Sequence, residues 1–137
     1  MNARRGHESS RHLKAKKAIA QLFNSSAWSV FIEERNADLI ILHHTTCFVV
    51  AIEVESSPRN VLNNMVRNIA FGCHAVAVVS LSERYLDQIV NKIFTPLKNW
   101  GIKPIKVFLY DEQSLQKLYL WVENLALSSG SDRGKTP

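Results

Sequence analysis

The chain has 137 residues, the length of one domain, and 46% of them are hydrophobic, enough for a packed core and too many for a disordered polypeptide. Its 17 Lys and Arg against 12 Asp and Glu leave a net charge of +5, which favours a polyanionic partner without specifying one. Two cysteines, Cys47 and Cys73, are too few for a disulfide framework, no apolar run approaches the about 20 residues of a membrane span, and no signal-type segment follows the basic N-terminus. A reducing, cytoplasmic setting with no membrane partner is expected.

After a flexible basic lead (residues 1–6), Ala15, Ala18, Ile19 and Leu22 recur at helical spacing and predict a helix over Ser9–Phe23. Lys14, Lys16 and Lys17 fall largely off that stripe. Three short strands are expected next, over Trp28–Glu33, Asp38–Leu42 and Cys47–Glu55, with His43–Thr46 as the turn between the last two. Ser56-Ser57-Pro58 stops the sheet, and Pro58 suits the first turn of a helix running to about Phe71. That helix buries Val61, Leu62, Met65, Val66 and Ile69, and carries Asn60, Asn63, Asn64, Arg67 and Asn68 on its other side, with Gly72 as its stop. Ala75–Ser80 reads as a strand buried on both faces, the kind found in parallel sheets. Ser82 then caps an amphipathic helix that Pro96 ends or bends. A strand over Pro104–Tyr110 follows, and a last helix capped by Asp111 runs to about Leu127, with residues 128–137 as a disordered tail. The order α-β-β-β-α-β-α-β-α implies an α/β domain over 1–127, a mixed central sheet flanked by helices with right-handed crossovers.

Three acids stand out against this apolar background. Burying a charge costs several kcal/mol unless a cation, proton or partner offsets it, so Asp38, Glu53 and Glu55 on paired strands call for an explanation. Strand alternation puts Glu53 and Glu55 on one face. Counting outward from the hairpin turn brings Asp38 opposite Val50–Glu53, where Asp38 and Glu53 can share one cation. Glu8 falls in phase with His12, Ala15, Ile19 and Leu22 on the first helix, so it can aim at the same end of the core. Together these are hard oxygen ligands of the kind that suit Mg²⁺ or Mn²⁺.

This pattern resembles the PD-(D/E)XK, or restriction-endonuclease-like, nuclease superfamily. The resemblance covers Glu8 to Ser80, whose helix, three strands, helix and strand follow the α-β-β-β-α-β core of that family. Asp38 stands at the family aspartate, Glu53 at the acid of (D/E)XK, and Glu8 at the acid that many members carry on their first helix. Ala37 replaces the motif proline, a common departure. Glu55 stands where the family has lysine, giving an E-X-E variant; some restriction enzymes of this pattern use E-X-E and remain active. Other families move the basic group onto the next helix, where this chain has Arg67 and Arg59.

The resemblance implies metal-dependent hydrolysis of DNA phosphodiester bonds, with Asp38 and Glu53 (and Glu8) as ligands of Mg²⁺ or Mn²⁺, Glu55 binding a second metal or orienting the water, and Arg67 and the asparagines of the same helix at the phosphate or the water. Arg4, Arg5, Arg11, Lys14, Lys16 and Lys17 would contact the DNA backbone. The rival reading is a catalytically degenerate module that binds DNA or a partner protein inside a larger restriction, repair or transposition complex. Taken singly, each residue has a plainer role: Asp38 as a turn cap, Glu53 and Glu55 as a paired strand end, Glu8 as a helix N-terminal acid, Arg67 and the lysines as wet helix positions. His43, His44, Cys47, Cys73 and His74 fit no standard zinc spacing. Leu120, Trp121 and Leu127 lie partly off the core stripe of the last helix and suit a sheet-edge cover or a homodimer contact.

Overall fold

Alternating and continuous apolar runs build the centre of the molecule. The computed structural model describes residues 9–32, 37–97 and 103–134, and among these five strands form one sheet in the order β1-β2-β3-β4-β5. The strands are β1 (Trp28–Ile32), β2 (Leu39–His43), β3 (Val49–Glu55), β4 (Ala75–Ser80) and β5 (Ile105–Leu109). The first three form an antiparallel meander, and β4 and β5 continue parallel to β3, so the sheet is mixed. Helices α1 (Ser10–Leu22), α2 (Val61–Ala70), α3 (Leu86–Leu97) and α4 (Glu112–Gly134) flank it, with a single 3₁₀ turn at Glu83–Tyr85 ahead of α3.

The period-2 pattern of the strands splits the core into two layers. Ile41, Val50, Ile52, Ala77 and Val79 pack with Ala15 and Ile19 of α1 and Leu118, Val122 and Ala126 of α4. Ala51, Val76 and Val78 face the other way, against Val61 and Met65 of α2 and Ile89 and Ile93 of α3. Each fully buried Leu, Ile, Val or Met contributes about 1.5–3 kcal/mol, so β3 and β4, apolar on both faces, anchor the whole sheet. Both β-α-β crossovers lie on one face, as connections of one hand require when the strands run in sequence order.

Local chemistry sets most element ends. The Ser9 side chain accepts the His12 N–H and starts α1. Gly72, at φ +93°, follows α2 and donates its N–H to the Ile69 carbonyl; only glycine takes that conformation without strain. Asp111 Oδ1 accepts the Ser114 N–H at 2.7 Å, which caps α4 and holds the Asp111 carboxyl below its usual range.

Five expectations are corrected. Pro58 is not at the first turn of α2: it sits in the preceding turn, where its carbonyl accepts from Val61 N, and the helix opens three residues later. Asn68, assigned to the polar side of α2, is buried at 1% exposure, because it stands in helical phase with Val61 and Met65. Lys16, expected on a wet face, is also buried at 1%. The buried stripe of α1 runs through Ala15, Lys16 and Ile19 to Phe23, rotated from the expected one through Leu22. The last helix continues past Leu127 to Gly134, since no proline interrupts its ladder. Among the described residues no helix is long and apolar enough to cross a membrane.

Candidate active site at the end of the central strands

Strand register assembles the acids. Leu39 pairs with Ile52 across β2 and β3, and continuing that register one step outward brings Asp38 opposite Glu53. That step is where the β2 ladder stops, leaving Val54 without a strand partner on this side among the described residues. Side chains take over: Asp38 Oδ2 accepts the Val54 N–H at 2.7 Å, and His12 Nε2 lies 2.9 Å from the Val54 carbonyl oxygen. His12 Nε2 is also 3.5 Å from Asp38 Oδ2, both residues being about one-fifth exposed.

Glu53 and Glu55 project from β3 toward α2. Glu53 is 3% and Glu55 8% exposed. Two asparagines of α2 meet them: Asn68 Nδ2 donates to Glu53 Oε2 at 2.6 Å, and Asn64 Nδ2 donates to Glu55 Oε2 at 2.8 Å. The match is geometric. Two strand residues advance about 6.5 Å and four helix residues about 6 Å, so an i, i+2 pair of acids fits an i, i+4 pair of amides. Arg67 donates to Asn64 Oδ1 at 2.6 Å, which turns the Asn64 amide nitrogen toward Glu55. Arg67 therefore reaches the acids through Asn64.

The electrostatics are those of acids held together against their preference. Burial, then the charge of Asp38, push the Glu53 carboxyl up to about 9, with the Asn68 hydrogen bond opposing. Glu55 rises to about 7, through burial, with Asn64 opposing and Asp38 adding to the rise. Asp38 raises Glu53 both by its charge and by its closeness, so Glu53 is the acid of this cluster that most resists ionising. On the same face a cleft of about 420 Å³, lined by Phe31, Ile40, Val49, Phe71 and Cys73, opens beside Asn68.

Of the residues singled out in the sequence, Asp38, Glu53 and Glu55 come together, and Arg67 joins them at one remove. Glu8, Arg4 and Arg5 lie outside the described residues. Arg11, Lys14 and Lys17 are on the exposed side of α1, and Arg11 donates its guanidinium to the Leu81 carbonyl just beyond β4. Lys16 is buried and unavailable to a polyanion. Arg59 is exposed in the turn before α2. The asparagines of α2 were expected at the phosphate or water, whereas Asn64 and Asn68 are turned to the two glutamates; His12 was assigned no role from sequence. The signal for Asn68 was its place on the Val61–Met65 stripe, where an amide needs a buried polar partner.

No group of three His, Cys, Asp or Glu side chains forms a ready metal-ligand set among the described residues. The donor chemistry still fits a hard cation, since Mg²⁺ is held by one or two carboxylates with water and substrate oxygens completing its shell. The Asp38–Glu53 pair supplies two such groups whose repulsion a dication would relieve. No family model matches the chain, and no curated protein or solved structure matches it significantly.

Proposed function

We propose that this protein is a metal-dependent DNA endonuclease of the PD-(D/E)XK type with an E-X-E motif. The observation that carries the reading is the closeness of the half-buried Asp38 to the buried Glu53 at the ends of β2 and β3, with the buried Glu55 two residues on. The order α1-β1-β2-β3-α2-β4 supports it, being the core order of the nuclease superfamily that the motif resembles.

Asp38 and Glu53 would hold Mg²⁺ or Mn²⁺, which when bound supplies Lewis acidity at the phosphate and acidifies a water. Asn68 keeps the Glu53 carboxyl in place. Glu55, with its pKa near 7, suits a general base working at neutral pH: Oε2 is occupied by Asn64, and Oε1 is left to accept a proton from the attacking water. Arg67 steadies Asn64 and brings positive charge to the rim of the site. Arg11, Lys14 and Lys17 on α1 would contact DNA phosphates without reading sequence.

Glu55 in the lysine position favours a second reading, a degenerate nuclease-fold module that binds DNA or a partner protein within a larger restriction, repair or transposition complex. Cleavage of labelled duplex, single-stranded and branched DNA in Mg²⁺ and Mn²⁺ separates the two. Metal-dependent cutting by wild type, lost in Asp38→Asn and Glu53→Gln, supports the nuclease. A folded wild type that neither cuts nor binds either metal by calorimetry supports the degenerate module.

A further inference from the structure

The first helix touches the acid cluster through one side chain. His12 Nε2 lies between the Val54 carbonyl oxygen at 2.9 Å and Asp38 Oδ2 at 3.5 Å, while that same Asp38 oxygen accepts the Val54 N–H at 2.7 Å. A carbonyl oxygen only accepts, so Nε2 carries a proton in this contact and is the donor. The helix is fixed around it. The His12 N–H is held by Ser9 Oγ, and the neighbouring Arg11 guanidinium donates to the Leu81 carbonyl beyond β4. Two consecutive residues of α1 thus grip carbonyls at the ends of the two central strands.

We propose that His12 is a positioning residue of this site: it holds the Val54 peptide, and through that peptide and its own Nε2–H it fixes the Asp38 carboxylate in the orientation that faces Glu53. The inference rests on the nuclease reading for its catalytic consequence and on geometry for its structural one. Asp38 is on the last residue before β2, with no ladder bond at that step to hold it. Its aim depends on the Val54 N–H, and the aim of the Val54 peptide depends on what its carbonyl meets. Replace His12 by a side chain without a donor and the carbonyl turns to water, freeing the carboxylate to rotate away from Glu53. Groups that orient a metal ligand in this way change affinity and rate without touching substrate.

The test compares wild type, His12→Ala and His12→Gln, since glutamine keeps an N–H that can reach the Val54 carbonyl. With the DNA that wild type cuts, His12→Ala is expected to lower kcat about 10–100-fold and to raise the Mg²⁺ needed for half-maximal rate by a similar factor, leaving KM for DNA within about threefold. His12→Gln is expected to recover most of both losses. Wild-type kinetics in His12→Ala, or a folded His12→Gln as impaired as His12→Ala, overturns the proposal. A second readout needs no cleavage: hydrogen exchange of the Val54 amide should speed at least about tenfold in His12→Ala and stay near wild type in His12→Gln. Unchanged Val54 protection in His12→Ala overturns the proposal whatever the DNA assay gives. Faster exchange in a protein whose wild type cuts no DNA leaves the positioning of Asp38 standing and the nuclease reading fallen.

Discussion

The β2–β3 hairpin has two ends, and both are crowded with side chains capable of chemistry. At the turn end, every imidazole closes a piece of backbone or packs on a ring. His43 Nδ1 lies 3.0 Å from Thr46 Oγ1 beneath the edge of Trp28, and His44 bridges the Ser26 carbonyl at 2.7 Å and Ser29 Oγ at 2.5 Å. His74 Nδ1 accepts the Val49 N–H at 2.9 Å and stacks on Phe48. Donors meet acceptors there, and the polar groups serve the fold. At the open end, carboxyls meet carboxyls, and burial drives Glu53 to about 9 and Glu55 to about 7. Such an arrangement costs the fold stability rather than adding to it. The presence of reactive residue types says little; their being held in a state they resist makes the open end the candidate site.

The contrast can be broken first by substitution. Asp38→Asn and Glu53→Gln should each reduce metal-dependent cleavage by more than about 1,000-fold, some 4 kcal/mol of barrier, whereas His44→Ala should leave the rate within about twofold; equal losses at the two ends would erase the distinction. The second test is stability against pH. Folding raises the Glu53 pKa from 4.5 to about 9, so the folded chain keeps a proton that the unfolded chain gives up. Metal-free stability should therefore be greatest below about pH 4.5 as far as this group is concerned, and decline as pH rises toward 9. Thermal melts should show Tm falling by at least about 5 °C between pH 6 and 9, with Glu53→Gln flattening that slope and saturating Mg²⁺ opposing it. A Tm that rises with pH across this range would count against a buried, proton-holding Glu53.

Smaller effects sharpen the picture. Asn68→Ala should cost about 1–3 kcal/mol in denaturant unfolding, because it leaves the buried Glu53 carboxyl without its donor, while Asn64→Ala should cost less, since Glu55 is closer to water. The α1 lysines should divide by burial. Lys14→Ala and Lys17→Ala should each weaken DNA binding and reduce the slope of log K against log salt by roughly one, with no change in Tm. Lys16→Ala should instead lower Tm, a difference that salt titrations and melts together would expose.

Much of this was written plainly in the chain. The apolar doublets of β3 and β4, the Gly72 stop and the Asp111 cap each state a local rule that nothing tertiary overrides. Strand parity alone put Glu53 and Glu55 on one face, and counting from the turn brought Asp38 to them. Helical phase was harder to read where polar and apolar residues share a stripe. On α1 the eye follows Ala15, Ile19 and Leu22, but the helix turns a few tens of degrees further and takes Lys16 inside. On α2 a run of asparagines looks uniformly wet, and only helical phase with Val61 and Met65 separates the buried Asn68 from the exposed Asn63. Phase tells that such an amide is buried, but which acid it meets is set by the strand across from it.

The hairpin turn also acts as a counting device. Because side chains alternate and the two strands run antiparallel from one turn, the number of residues between His43 and Val49 decides which acid Asp38 meets. One residue more or less would put every later side chain of β3 on the opposite face, sending Glu53 and Glu55 into the layer under α1 and α4. Two would restore the face but slide Asp38 past Glu53 to another partner. Lengthening a loop is ordinarily among the mildest changes a chain can undergo. In this chain the turn farthest from the acids, holding none of their atoms, is where an insertion would undo them most completely.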